Sequence, residues 1–320
     1  MQLLNYIRRI GKEHGYKIAV FGCKNDLNKC YEILCNDVFD FMSATVYEYC
    51  IEGEDNYSAF RDMNLVIVAV TDMLLDTDNI VRERIQTIQN YNILILPIMV
   101  ETVDRLKYKR TFKNLQYLNR EKPDYSIQLN RYLNTYFIEN EEFDNIDKVF
   151  RKNIFLSYRK SDYTLARKLI HDMHTSKSLM DVGVWCDDLL IPGKDYEDKI
   201  KKEIENSDYF LLLVTDRILE RNNYVLKVEY EKALSSNKRI VPIELEQTDH
   251  KDLYTIYKNL PYVYDGLSQK NLASVVEKAL DIHTPFETNN CRINYYLALA
   301  YFYGIKCEKN IECCVFIKEQ

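Results

Sequence analysis

Glycine and proline are scarce in this chain, at eight and six among 320 residues, and tryptophan occurs once. No glycine-rich turn of the dinucleotide-binding kind is present, so the phosphate cradle of hydride-transferring enzymes is missing. Histidine is rare too. Only His171 and His174 stand close together, with no carboxylate motif beside them, and no metal site is expected. The nine cysteines are odd in number, form no paired CxxC motifs at zinc spacing, and sit mostly in apolar segments. They read as reduced thiols of a cytosolic protein. The longest apolar stretch, Ile93–Val100, falls far short of the roughly 18 residues that argue a membrane span. The N-terminal segment MQLLNYIRRIGKEHG lacks the uninterrupted apolar stretch of a signal peptide. A formal net charge of −6 supplies no basic field for nucleic acid or an anionic membrane. What remains is a cytoplasmic protein with neither nucleic acid nor membrane as partner, and with no resident cofactor.

Apolar residues make up 47% and charged residues 29%, the balance of an ordinary globular protein. The length suits two domains and a remainder, at roughly 100–200 residues per domain. Short apolar runs at 17–21, 44–49, 65–70 and 93–98 alternate with helical patterns near 26–36 and 79–90, after a short amphipathic lead helix. That alternation predicts an α/β fold with a doubly wound parallel sheet. Residues 103–150 are mostly helical in pattern.

The chain also repeats itself. KIAVFGCKND (17–26) aligns without gaps on NIFLSYRKSD (153–162), at an offset of 136 residues. NLVIVAVTD (64–72) aligns on DYFLLLVTD (208–216) at 144, and FKNLQYL (112–118) on YKNLPYV (257–263) at 145. Conserved order and spacing make this two copies of one α/β unit, with a boundary near Phe150. The growth of eight in the offset predicts one insertion in the second copy, in the region of Trp185 to Lys199.

Within the second copy, residues 208–243 read as strand, helix, strand. The strand run is Tyr209–Val214, Asn222 and Asn223 offer a helix cap, and Arg239–Ile243 is the next strand. On the helix, Val225, Glu229 and Ala233 fall in one row, whereas Lys227, Glu231 and Ser235 form a wholly polar row. Glu231 is thus an ordinary solvated charge. Glu229 lies between apolar neighbours near the carboxyl end of a strand, where open parallel sheets place ligand chemistry; the plainer reading is a carboxylate that merely flanks the core.

Four ordered motifs make residues 151–284 resemble a TIR domain: FLSYRKSD (155–162), VGVWCDDLLIPGKDYEDKI (182–200), SDYFLLLVT (207–215) and YVLKVEYEKAL (224–234). The resemblance implies two tandem flavodoxin-like units, the first a degenerate TIR-like domain over 1–150 and the second a TIR domain over 151–284. In the first copy the position matching Glu229 is Arg84, with Glu83 adjacent, so a lost site is expected there. Some members of the family cleave NAD+ at the nicotinamide–ribose bond, yielding ADP-ribose or a cyclised isomer in antiphage and immune signalling. Others are adaptors that only bind further TIR domains.

For the enzymes, the resemblance carries the catalytic role to Glu229 and substrate contacts to Tyr158 and Arg159, with Ser157 and Lys160 nearby. The acidic position of the BB loop falls on Asp188, or on Asp187 if the loop is one residue shorter. Val225 stands where the family often has a tryptophan, which leaves the aromatic wall of the pocket open. Trp185 reads either as that wall or as core, and Arg159 either as a substrate ligand or as half of a surface ion pair. The loop residues Ile191, Pro192 and Gly193 are either a simple turn or the family's docking loop, through which self-association would switch on activity. The residues suit the chemistry, because a pyridinium leaves neutral and one carboxylate can steady an oxocarbenium-like ribose. A nucleoside-transferring enzyme on a related sheet is a third reading. After Pro285, residues 285–320 resemble one Sel-type tetratricopeptide-related hairpin, with Ala298, Ala300, Tyr301 and a stop at Gly304. One hairpin cannot bury its own face, so it packs on its neighbour, binds a partner, or belongs to a longer array.

Overall fold

The computed structural model describes residues 16–42, 44–50, 57–113, 115–138, 140–186, 196–220 and 223–318. They divide into two compact units, the first up to Phe137 together with Tyr196 and the second made of the described residues from Ile138 onward other than Tyr196. The first holds a five-stranded parallel sheet of β1 (Lys17–Gly22), β2 (Thr45–Cys50), β3 (Leu65–Val70), β4 (Leu94–Met99) and β5 (Leu118–Asn119), in the order β2-β1-β3-β4-β5. The second holds β6 (Lys152–Ser157), β7 (Val182–Trp185), β8 (Tyr209–Val214), β9 (Arg239–Glu244) and β10 (Tyr264–Asp265), in the order β7-β6-β8-β9-β10. Numbered within its own unit, each sheet runs 2-1-3-4-5, the flavodoxin-like doubly wound order. Both are α/β sheets flanked by helices, as the alternation of apolar runs and helical patterns predicted.

The repeat extends to strand register. Ile18 pairs with Leu65 in the first sheet and Ile154 with Tyr209 in the second, matching the sequence offsets of 136 and 144. Leu65 pairs with Leu94 and Tyr209 with Arg239, again in step. The prediction of a single insertion is corrected by the second strand. Lys17 faces Thr45, whereas Asn153, its equivalent, faces Gly183. The offset has therefore grown by two before β7 begins, and only six of the eight extra residues follow that strand. Neither two-residue strand was foreseen, β5 within the helical-looking segment 103–150 or β10 beyond it, because two residues are too few to show a period of two.

Strands buried on both faces read as continuous apolar runs, and all six residues of β3 and of β4 are buried. In the second unit one face of the sheet packs Ile154, Leu156, Val184, Leu211 and Val241 against the helices Tyr163–Thr175 and Ala273–Leu280. Gly183 sits in β7 beneath Phe150, where an added Cβ would stand 2.9 Å from the ring, so no larger residue fits without displacing it. Among the described residues no helix is long and apolar enough to cross a membrane, and no cluster of three or more His, Cys, Asp or Glu could hold a metal ion.

The tail forms the expected helical hairpin, Cys291–Tyr303 and Ile311–Lys318. Gly304 ends the first helix in the left-handed region at φ 74°, the conformation that favours glycine at a helix C-terminus. Leu297, Ala298, Tyr301 and Ile317 bury the hairpin's inner face against Ile146, Phe150, Met180 and Phe286 of the same unit. Of the three fates open to a lone hairpin, packing on its neighbour is the one observed.

Candidate functional site

In a sheet of order 2-1-3-4-5 the connections leave in opposite directions from the first and third strands, and a crevice opens at their carboxyl ends. In the second unit those strands are β6 and β8. β6 ends on Ser157, which is 1% exposed, and β8 runs into Thr215, which is fully buried. Glu229 reaches this end from the helical segment after β8. It is 6% exposed, and Ser157 Oγ donates to its Oε2 at 2.5 Å. Val225 and Ala233 are buried beside it, while Lys227, Glu231 and Ser235 are exposed, so the two rows read from the sequence are the two faces of the helix.

The local backbone was not legible in that spacing. Val225–Tyr230 is a π-helix that passes into an α-helix at Glu231–Ser235. A wide turn of this kind shifts the side chains that follow it and is frequent at functional sites. Here it lies directly under Glu229. Asn223, 1% exposed, anchors the start of the turn. Its Oδ1 accepts from the Leu226 N–H at 2.6 Å, and its amide donates to the carbonyls of Ile218, at 3.0 Å, and Glu220. The predicted cap is thus borne out at Asn223, and Asn222 lies outside the described residues.

Beneath the carboxylate an aromatic row crosses three strands. Trp185 stacks on Phe155 at 5.0 Å, Phe155 on Phe210 at 5.6 Å, and Tyr230 meets Phe210 edge-on at 6.5 Å. Trp185 is 5% exposed, the position of a core side chain. Tyr257 packs edge-on against Tyr230 at 4.9 Å and donates its hydroxyl to the Ile218 carbonyl at 3.1 Å. Burial pushes the Tyr257 hydroxyl pKa well above its ordinary value, with Arg159 pulling it down and Glu229 pushing it up. Tyr257 therefore lies within electrostatic range of both. Burial likewise raises Tyr230, to about 12, and its hydroxyl donates to the Lys258 carbonyl at 2.9 Å.

Arg159, just past the end of β6, pairs with Glu220 through Nη2 at 2.6 Å, while its Nε is buried with no hydrogen-bond partner. Lys160 is exposed at the head of the following turn. Tyr158 points elsewhere: it belongs to the core cluster of Ile154 and Leu156, on the face opposite Phe155. Side chains of neighbouring strand residues alternate in direction, so Ser157 and Tyr158 cannot both face the helix. Asp187, Asp188, Ile191, Pro192 and Gly193 lie outside the described residues.

A second polar knot went unread in the sequence. The fully buried carboxylate of Asp162 accepts from Thr215 Oγ1 at 2.7 Å and from Arg217, whose Nη2 also reaches Glu246 at 2.6 Å. It ties the turn after β6 to the turn after β8. At matching positions the first unit keeps Lys24 for Lys160, Asp26 for Asp162 and Thr71 for Thr215, but not the residues around the buried carboxylate. Phe21 stands 136 residues before Ser157, Cys23 before Arg159, and half-buried Arg84 is 145 residues before Glu229.

No curated protein matches this chain. Among solved structures, it is similar to a periplasmic sugar-binding protein of an ABC sugar transporter from Legionella pneumophila, at 11% identity over 91% of this chain and 97% of that one. The TM-score of 0.20 is too low for that likeness to bear on fold or site. The family model of the TIR domain matches residues 154–273, which span β6 to the start of the helix Ala273–Leu280 and include Ser157, Arg159, Asn223 and Glu229. The second unit thus carries a TIR domain over those residues.

Proposed function

We propose that the second unit is an NAD+ glycohydrolase or cyclase that breaks the nicotinamide–ribose bond, with Glu229 as its catalytic carboxylate. The observation that carries this reading is a buried glutamate at the switch point of a TIR domain, fixed by Ser157 at 2.5 Å and set on a π turn. A carboxylate that only flanked the core would have little reason to be held at the crevice end of the sheet, since a buried charge is costly unless it is hydrogen-bonded.

The chemistry asks little of the protein. Nicotinamide is bound as a pyridinium, so it departs with the bonding electron pair as a neutral amine and needs no acid. Positive charge then develops on the ribose, where the Glu229 carboxylate stabilises it. Water adds to that carbon and loses a proton, giving ADP-ribose; attack by a nucleophilic atom of the same molecule gives a cyclised isomer instead. Arg159 would hold the diphosphate with its forked donors. Lys160, the acidic residue Asp187 or Asp188, and the Ile191–Gly193 loop are assigned to substrate contact and self-association by resemblance to the family. The same resemblance suggests antiphage or stress signalling, switched on by assembly.

Incubation with NAD+ followed by measurement of nicotinamide release, wild type against Glu229→Ala, tests the proposal. Release by the wild type that the variant lacks supports it; no turnover at any protein concentration, with self-association intact, would make the domain an adaptor.

A further inference from the structure

The geometry points to Glu220 as a built-in anion that occupies the ligand face of Arg159 until a diphosphate group displaces it. This rests on the proposed role of Arg159 in substrate binding. A guanidinium presents five N–H donors in a rigid fork suited to two acceptor oxygens. In this structure one of them, at Nη2, meets a Glu220 oxygen at 2.6 Å, and the Nε donor is buried without a partner. A buried donor left unmatched is costly, so the fork is incompletely used by the carboxylate it holds. A group with more oxygens and more negative charge would use it better.

Exposure decides how easily the pair parts. The Glu220 side chain is 61% exposed and that of Arg159 25% exposed. The released carboxylate would pass into water, and pairs exposed to that degree are weak. The pair is also aimed rather than incidental. The Glu220 carbonyl accepts from the buried Asn223 amide, the same side chain that caps the segment carrying Glu229. Arg159 lies two residues beyond Ser157, whose hydroxyl is bonded to Glu229, so the guanidinium stands at the same end of the sheet as the carboxylate. A diphosphate on Arg159 would then have its attached ribose within reach of Glu229, and Glu220 would set how readily it enters.

Calorimetric titration of the whole chain with inorganic diphosphate tests this. Glu220→Gln removes the competing charge at an exposed position, and it is expected to tighten diphosphate binding about two- to fivefold, the range set by the strength of an exposed pair. Adding Arg159→Lys, which keeps the charge and loses the fork, is expected to abolish that gain. Equal or weaker binding by Glu220→Gln would mean that Glu220 positions Arg159 instead of competing with the ligand, and would overturn the inference. So would diphosphate binding by none of the variants. Nicotinamide release, measured in parallel, separates the two ideas. Tighter diphosphate binding without NAD+ turnover sinks the glycohydrolase reading and leaves the role of Glu220 standing. Turnover with no gain in diphosphate binding does the reverse.

Discussion

The backbone N–H of Val184 donates to the carbonyl of Lys306 at 2.7 Å, so the turn of the C-terminal hairpin closes part of the open edge of β7. Edge strands with unpaired backbone groups invite aggregation, and covering them is a common remedy. Lys306 also pairs with Asp147 at 2.7 Å and donates to Asn153 Oδ1 at 3.0 Å, while Glu308 meets Arg167 at 2.5 Å and His171 at 3.1 Å. The hairpin is therefore part of the second unit's fold.

That makes the tail's core contacts sensitive to truncation. Leu297 is fully buried among Ile146, Phe150 and Met180, and Leu297→Ala is expected to cost about 2–5 kcal/mol, as such core deletions do. Tyr301→Phe removes only the hydroxyl that donates to the Met180 carbonyl at 2.8 Å, for about 1 kcal/mol. Denaturant unfolding of the two variants should reproduce that order; equal and negligible losses would mean the hairpin is a detachable appendage.

Acid should loosen the same region. His174 is buried against Tyr301 at 5.7 Å, its Nε2 bonded to the Val182 carbonyl at 3.0 Å, and burial lowers its pKa from 6.5 to about 4. Nearby Glu308 acts in the opposite sense and His171 in the same sense. The folded chain keeps the ring neutral, whereas the unfolded chain protonates it below the ordinary value. Stability is thus fully present above about pH 6.5, falls as pH drops toward 4, and levels off below that, for a total of about 3 kcal/mol at 1.36 kcal/mol per unit. Unfolding midpoints of wild type and His174→Gln measured across that window should converge as the pH falls.

Asp162 offers a test of the polar knot between the two turns. Asp162→Ala strands Thr215 and takes one of two carboxylates from Arg217, which keeps Glu246 and is partly exposed. The expected loss is about 2 kcal/mol, below that for a fully buried pair, because water and Glu246 compensate the guanidinium. A thermal or denaturant melt of the variant checks it.

Asn223→Ala should act on both stability and the site. It removes the acceptor for Leu226 N–H and the donor to Ile218 and Glu220, at an expected cost of about 1–2 kcal/mol. Because that side chain anchors the segment carrying Glu229, NAD+ turnover is expected to fall further than stability does. Turnover that tracked only the folded fraction would show the anchor to be structural alone.

Both sheets and much of the register were legible because the duplication supplies its own ruler. Two gap-free matches at 136 and 144 tie the register of one sheet to that of the other, so that the pairing of Ile18 with Leu65 implies that of Ile154 with Tyr209. Glu229 stood out because period and polarity disagreed at one position. The π turn was hidden, since a single widened turn leaves the spacing of Val225, Glu229 and Ala233 unchanged in the sequence while altering their geometry. Ser157 was named on resemblance alone, and nothing in its neighbourhood shows that it faces a residue 72 positions away. Arg217, Glu220 and Asp162 carry no local signal either, being ordinary charges until the fold brings two turns together.

Glu229→Gln is the most direct probe of the central claim, because the amide keeps the side chain's shape and can still accept the Ser157 hydrogen bond that now spans 2.5 Å. The charge is lost and one of the two acceptor oxygens becomes an NH2 donor. Nicotinamide release from NAD+ should then fall by about 10²-fold or more, the scale of removing one electrostatic partner of a transition state, with the melting temperature little changed. Release by the folded variant at the wild-type rate would contradict the assignment of that carboxylate to catalysis.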